Sequence, residues 1–140
     1  MELKIFTDGG SINNPGPAAI AFVVYLNNKI VYSFSSKIGI NTNNFAEYAA
    51  LEKSLEWIRD NPGFRLDKIS VFSDSNLMVN QLNGLFKVKS THIREFIIKI
   101  RVLEREINIP IVYKHIPREE NSLADSLIKR ALLTPESLPA

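Results

Sequence analysis

Hydrophobic residues recur along the chain with two different periods. Short runs rich in β-branched and aromatic residues predict five strands, and stretches with apolar residues three and four positions apart predict four helices. The strands are predicted at 3–7, 19–26, 29–38, 68–73 and 110–114, and the helices carry their apolar stripes at 48–58, 74–83, 93–107 and 123–131. The resulting order, βββαβααβα, predicts an α/β fold in which one mixed sheet is packed by helices.

Turn residues separate these segments. Asn13–Pro17 predicts a turn between the first two strands, and Asn27-Asn28 predicts a tight turn between the next two. Asn61-Pro62-Gly63 predicts the end of the first helix, and Pro135 lies beyond the last one. Because no internal repeat or linker interrupts the pattern, we expect residues 1–140 to form a single domain.

Acidic residues follow two of the predicted strands. Asp8 precedes a pair of glycines that begins with Gly9, and Asp74 precedes a predicted helix. In a wound sheet both positions lie at carboxyl ends of strands, where α/β sheets bind ligands. Two more acids, Glu47 and Asp125, lie beside the apolar stripes of two helices and close to runs rich in asparagine. The pattern therefore predicts acidic side chains that converge at one edge of the sheet.

Four converging carboxylates suit the metal-assisted hydrolysis of a phosphodiester. That reaction needs an activated water, in-line attack and a stabilised leaving oxygen, and two divalent ions about 4 Å apart supply all three. Mg²⁺ prefers oxygen ligands and keeps several of its waters, so a few carboxylates suffice. We therefore expect two Mg²⁺ ions, with Mn²⁺ as a substitute, at Asp8, Glu47, Asp74 and Asp125.

Each acid also has an ordinary structural explanation. Asp8 before Gly9 fits a turn, and Asp74 fits an N-cap. Glu47 and Asp125 fit solvent-exposed positions on their helices. Only the meeting of all four side chains in one place distinguishes a metal site from four unrelated acids.

Composition narrows the class of protein without identifying a partner. With 45% hydrophobic and 23% charged residues the chain is typical of a globular protein, and a net charge of +2 does not by itself indicate nucleic acid. The absence of cysteine excludes disulfides, thiolate nucleophiles and zinc-thiolate sites. No signal-peptide pattern or bilayer-length apolar run is present. We therefore expect a cytoplasmic monomer without membrane association or an obligate protein partner.

Five short motifs occur in the order found in type 1 ribonuclease H, and the chain resembles that family from Leu3 to about Leu132. The motifs are Thr7-Asp8-Gly9-Gly10, Asn14-Pro15-Gly16-Pro17, Thr42-Asn43-Asn44-Phe45-Ala46-Glu47, Ser73-Asp74-Ser75 and Asn121-Ser122-Leu123-Ala124-Asp125. The resemblance implies a five-stranded sheet of order 3-2-1-4-5, with strand 2 antiparallel to the rest and helices on both faces. It also implies cleavage of the RNA strand of RNA/DNA hybrids to 5′-phosphate and 3′-hydroxyl ends.

The resemblance assigns a role to each acid. Asp8 would bridge both ions, Glu47 and Asp74 would complete one of them, and Asp125 would hold the ion that carries the attacking water. In many bacterial relatives a loop with glycine and histidine lies before the last helix, but residues 114–121 contain no glycine.

Two residues of this segment are candidate helpers in catalysis. His115 lies ten residues before Asp125, as the loop histidine would, although its position also fits the end of strand 5. Arg118 is the second candidate, because a guanidinium stabilises a phosphate or a leaving group.

Polar residues similar to those of the family are candidates for substrate contacts. Asn14, Asn43, Asn44 and Asn76 resemble residues that contact RNA 2′-hydroxyls and the minor groove, and Thr42 resembles one that binds a DNA phosphate. Plain turn and cap chemistry is the alternative for the four asparagines.

A basic stretch offers a second surface for nucleic acid. Its members are Lys87, Lys89, Arg94, Lys99, Arg101 and Arg105. A duplex backbone fits such a surface, and solvation of the outer face of a helix is the alternative. The chain resembles the shorter form of the family, without a Trp-containing basic protrusion or a separate hybrid-binding domain.

Two other functions stay open on the sequence alone, because a fold does not fix a function. One is a fold-mate that binds nucleic acid with little or no cleavage. The other is a nuclease of the same fold that acts on double-stranded RNA or another nucleic acid. The Asn-Pro-Gly-Pro and Thr-Asn-Asn motifs favour RNA/DNA hybrids.

Overall fold

The computed structural model describes residues 1–134, in which five strands form one mixed sheet. The strands are β1 (Glu2–Ser11), β2 (Gly16–Leu26), β3 (Lys29–Asn41), β4 (Lys68–Ser73) and β5 (Ile111–His115). The helices are α1 (Asn43–Asp60), α2 (Asn76–Leu82), α3 (Thr91–Ile107) and α4 (Ser122–Leu133), and a 3₁₀ turn at Arg118–Asn121 precedes α4. Pro135 lies outside the described residues, and the single domain over 1–140 stays a prediction.

The sheet has the order β3-β2-β1-β4-β5. Strand β2 pairs antiparallel with β1 and β3, whereas β1, β4 and β5 pair in parallel. The predicted α/β class, strand order and antiparallel second strand are therefore confirmed. The β2–β3 hairpin turns at Asn27 and Asn28, whose φ angles of 52° and 63° are those of a type I′ turn.

The first strand is longer than predicted. Its parallel pairing with β4 ends at Thr7, but its antiparallel pairing with β2 continues through Asp8 to Ser11. The prediction that the strand ends at Thr7 is wrong, because β2 begins early enough, at Gly16, to pair with these extra residues. Asp8 consequently lies within a strand and not in a turn.

Helices cover both faces of the sheet. On one face Tyr48 and Leu51 of α1 share a core with α3 and with Leu3 and Ile5 of β1. On the other face α4 packs Ile128 against small residues of β2. Because side chains alternate along a strand, Asp8 points to the α4 side while Leu3 and Ile5 point to the α1 side. None of the helices in residues 1–134 is long and apolar enough to span a bilayer.

Candidate active site

One backbone N–H holds two carboxylates together at the end of the parallel strands. Gly9 N donates to Glu47 Oε1 at 2.7 Å and to Asp8 Oδ1 at 3.0 Å. Asp8 is 6% exposed and Glu47 is 8% exposed, so both acids are largely shielded from water. The exposed-surface explanation of Glu47 is therefore wrong, because α1 packs this residue against β1.

Glycine is required at position 9 for this approach. A Cβ built on Gly9 would lie 2.2 Å from the carbonyl carbon of Ala46 and 2.5 Å from the backbone nitrogen of Glu47. Helix α1 begins shortly before this point with Thr42 as its N-cap, whose hydroxyl accepts a hydrogen bond from Phe45 N at 3.1 Å. The closeness of Glu47 to Asp8 thus depends on the missing side chain of Gly9.

Asp74 lies between β4 and α2 and does not cap the helix. Ser75 is the N-cap, and its hydroxyl accepts from Met78 N at 3.2 Å. The backbone N–H of Ser75 in turn donates to Ser73 Oγ at 3.0 Å. The N-cap explanation of Asp74 is therefore wrong, and α2 begins at Asn76 and not at Asp74. The Asp74 carboxylate is therefore not occupied by capping α2.

Three carboxylates form a compact group. Asp8, Glu47 and Asp74 each offer one oxygen, and these oxygens all lie within 4.8 Å of one another. Asp125 lines the same cleft but lies outside this group. Its Oδ2 pairs with Lys129 Nζ at 2.9 Å, and its Oδ1 lies 3.7 Å from Arg118 Nη2.

Asn121 joins the beginning of α4 to β1. Its Nδ2 donates to the carbonyl oxygen of Thr7 at 2.8 Å, and the residue is 1% exposed. Among residues 1–134 its Oδ1 is one of two buried side-chain atoms that lack a hydrogen-bond partner. Asp125 lies one helical turn after Asn121, so this contact and the packing of Ile128 on β2 together hold Asp125 near β1.

Burial and mutual repulsion raise the pKa values of the grouped acids. Burial is the largest cause of the raised pKa of Asp8, about 7, and the charges of Asp74 and Asp125 add to it. Burial also raises the pKa of Glu47 well above its ordinary value, with Asp8 and Asp74 adding to it. The pKa of Asp74 is raised by burial first, while Arg118 opposes the rise. Cations bound among these acids would relieve the repulsion.

The donor set fits a hard divalent cation. All three grouped ligands are carboxylate oxygens, which Mg²⁺ and Mn²⁺ prefer, and a coordination shell completed by water leaves room for substrate oxygens. Residues of α4, together with Ser11 and Asn43, also line the cleft. The arrangement therefore suits ions that act on a bound phosphate.

The predicted substrate residues lie in three places, of which one is this cleft. Asn43 lines the cleft, and its Oδ1 accepts from Ser11 N at 2.8 Å, while Asn14 Oδ1 accepts from Asn43 N at 2.9 Å. Thr42 and Asn44 line a separate groove. The exposed Asn76 begins α2, and its Oδ1 accepts from Asn80 Nδ2 at 2.8 Å.

The two candidate helpers differ in position. His115 is the last residue of β5 and pairs with Ser73 in the sheet, as its alternative explanation required. Arg118 lies in the 3₁₀ turn and lines the cleft beside Asp125, with 77% of its side chain exposed. The geometry favours Arg118 over His115.

Two contributions to the site are not among the sequence-based predictions, namely the backbone N–H of Gly9 and the side chain of Lys129. Gly9 matters through its backbone N–H, which no residue pattern reports. Lys129 was detectable, because Asp and Lys four residues apart on a helix lie side by side.

Arg101 of the basic stretch, by contrast, is used within the protein, since it pairs with Glu104 at 3.0 Å and donates to the carbonyl of Leu82 at 2.6 Å.

Comparison with known proteins identifies similar chains. The RNase H family model matches residues 1–133. Ribonuclease HI of Halobacterium salinarum is 36% identical over 94% of this chain and 64% of its own length. A bifunctional protein of Mycobacterium tuberculosis is 34% identical over 94% of this chain. The chain spans only 36% of that mycobacterial relative.

Solved structures agree in fold over nearly the whole chain. LC11-RNase H1, solved in complex with an RNA/DNA hybrid, has a TM-score of 0.87 and 38% identity, covering 93% of this chain and 96% of that one. RNase H1 from Halobacterium salinarum has a TM-score of 0.86 and 35% identity, covering 94% of this chain and 98% of that one.

Proposed function

The chain belongs to the RNase H family, and on that basis we propose that it is an endonuclease that hydrolyses the RNA strand of RNA/DNA hybrids. The observation that carries the proposal is the group of Asp8, Glu47 and Asp74 oxygens within 4.8 Å, with Asp125 in the same cleft. The hybrid bound to the similar LC11-RNase H1 supports the choice of substrate. We propose products with 5′-phosphate and 3′-hydroxyl ends.

The proposed cofactors are two Mg²⁺ ions, which Mn²⁺ can replace. Asp8 would contribute to both positions, with Glu47 and Asp74 completing one and Asp125 serving the other. Bound there, the ions would supply an activated water and stabilise the leaving oxygen. The raised pKa values of Asp8, Glu47 and Asp74 mean that cation binding is coupled to proton release.

Residues around the acids position the substrate. Arg118 and Lys129 lie at the rim of the cleft with 77% and 68% of their side chains exposed, so both guanidinium and ammonium can reach a phosphate. The Thr42 oxygen accepts an internal hydrogen bond, which leaves its hydroxyl proton to donate to a phosphate oxygen. These contacts would bind the sugar-phosphate backbone of the nucleic acid and would not distinguish one base from another.

Amide side chains supply the discrimination between RNA and DNA. Asn43 uses its Oδ1 for contacts with Ser11, so its exposed Nδ2 is the group that donates to a 2′-hydroxyl. Asn14 supports the backbone of Asn43, and Asn44 in its separate groove and the exposed Asn76 would add further polar contacts. Contacts with hydroxyls and phosphates make cleavage largely independent of sequence.

A matched substrate panel tests this function. Hybrid, double-stranded RNA, double-stranded DNA and single-stranded RNA of one sequence are incubated with Mg²⁺ or with a chelator. We expect cleavage of the RNA in the hybrid alone, only with metal, and its loss in Asp74→Asn but not in the exposed-surface control Asp60→Asn. Cleavage of another substrate, or hybrid binding without cleavage, would each replace the proposal with a different function.

A further inference from the structure

A buried hydrogen bond joins the two helices nearest to the grouped acids. The Tyr48 hydroxyl of α1 donates to Gln81 Oε1 of α2 at 2.7 Å. Tyr48 is fully buried and Gln81 is 9% exposed. Across residues 1–134 this is the only fully buried hydrogen bond between two side chains. Because both groups are buried, removing one of them leaves the other without water as a substitute partner.

Each partner belongs to a helix that begins beside, or contains, one of the grouped carboxylates. Tyr48 directly follows Glu47 in α1. Helix α2 follows Asp74 after a single residue, Ser75, which is fixed both to Ser73 and to the first turn of α2. Moving α2 relative to α1 would therefore move Asp74 relative to Glu47.

The C-terminal end of α2 has other polar contacts, but these connect it to α3 and β5 and not to α1. Arg101 of α3 donates to the carbonyl oxygen of Leu82 at 2.6 Å, and Asn83 Nδ2 donates to the carbonyl oxygen of Tyr113 in β5 at 3.2 Å. Within the described residues, the Tyr48–Gln81 bond is the side-chain hydrogen bond that connects α2 to the helix carrying Glu47.

Stability alone does not explain a polar pair at this place. Tyr48 lies in an apolar core, where its ring stacks on Phe96 with centroids 5.8 Å apart. Replacing both partners of a buried hydrogen bond with apolar groups of similar shape is nearly neutral for stability. We propose that Tyr48 and Gln81 are positioning residues, which hold Glu47 and Asp74 close enough to share a cation. This inference rests on the metal site of the proposed function.

The test separates positioning from packing by measuring metal affinity apart from activity. The variants are Tyr48→Phe, Gln81→Met and the double variant, and calorimetry measures Mn²⁺ binding without nucleic acid. Each single variant leaves one buried polar group unpaired and should lower the metal-free melting temperature by about 5 °C. The double variant should regain most of that loss yet bind Mn²⁺ about tenfold more weakly than the wild type.

Ser54→Ala is the matched control. The buried Ser54 hydroxyl donates to the carbonyl oxygen of Leu51 at 2.7 Å within α1, so its loss removes a buried hydrogen bond that reaches no site residue. We expect unchanged Mn²⁺ affinity in Ser54→Ala, whatever the change in its melting temperature. If the double variant does not regain stability, Tyr48→Phe is compared with Ser54→Ala, and weaker Mn²⁺ binding by Tyr48→Phe alone supports positioning.

The outcomes distinguish this inference from the proposed function. If the wild type binds Mn²⁺ and cuts hybrid, and the variants bind Mn²⁺ as tightly as the wild type, then the positioning role is overturned and the proposed function stands. A wild type that binds Mn²⁺ without cutting hybrid overturns the proposed function, and the Mn²⁺ affinities still decide on positioning. A wild type that binds no Mn²⁺ overturns both.

Discussion

Replacing Asp8 by Asn should stabilise the metal-free protein at neutral and higher pH. The folded pKa of Asp8 is about 7, against an ordinary value of 3.8, because the carboxylate is buried beside Asp74 and Asp125. A difference of this size corresponds to roughly 4 kcal/mol of folding free energy once the group is ionised. Asn keeps an oxygen that accepts from Gly9 and carries no charge.

The effect has a defined pH dependence. Between pH 3.8 and about 7 the folded protein keeps the Asp8 proton that the unfolded chain has released, so raising the pH lowers stability. Below that window Asp8 is protonated in both states and has no such effect. The gain in Asp8→Asn should therefore be small near pH 4 and should grow to roughly 4 kcal/mol near pH 8.

Urea unfolding followed by circular dichroism, with a chelator present, measures this difference at several pH values. Asp60→Asn is the control, because the Asp60 side chain is 62% exposed and pairs with the adjacent Arg59. Its substitution should change the free energy of unfolding by less than about 0.5 kcal/mol throughout. A gain for Asp8→Asn that is equal at pH 4 and pH 8, or that is absent at both, would refute the electrostatic reasoning.

Three further predictions follow from the site. Gly9→Ala should cost more than about 3 kcal/mol of stability, because the new Cβ would overlap the α1 backbone. Gly10→Ala should be tolerated, because the atom nearest to its new Cβ lies 3.8 Å away. Thermal melts in which both variants lose the same stability would contradict this. Arg118→Ala should lower kcat/KM on hybrid by about tenfold or more, and His115→Ala by much less, because Arg118 alone of the two lines the cleft; steady-state kinetics with the reverse ranking would favour His115. Millimolar Mg²⁺ should raise the melting temperature of the wild type more than that of Asp8→Asn, since an ion that binds only the folded state stabilises it; identical shifts in a thermal scan would argue against a specific ion.

Periodicity was sufficient to predict the elements but not their ends. The two periods of apolar residues predict all five strands and all four α-helices, because burying one face of a strand or helix requires apolar residues at that period. The end of β1 was missed because it depends on how far β2 reaches, which is a property of pairing. The start of α2 was missed because Asp74 and Ser75 are adjacent residues that both favour the cap position.

The site was predictable in its residue types and less so in its contacts. Motif order located Asp8, Glu47 and Asp74, which the structure brings together. Burial of Glu47 depends on the close approach of α1 to Gly9, and the Tyr48–Gln81 bond joins residues 33 positions apart. Neither contact leaves a local signal in the sequence, because each arises from tertiary packing.

The four acids reach the cleft from separate parts of the fold, so one of them can be displaced independently of the others. Asp8, Glu47 and Asp74 belong to the strands, to α1 and to the segment before α2, whereas Asp125 comes from a C-terminal helix fastened to β1 through Asn121. Undocking α4 would remove one carboxylate and leave three in their places. Changing Asn121, whose side chain bonds the start of this helix to β1, is therefore a means to shift the fourth carboxylate without substituting any residue beside the other three.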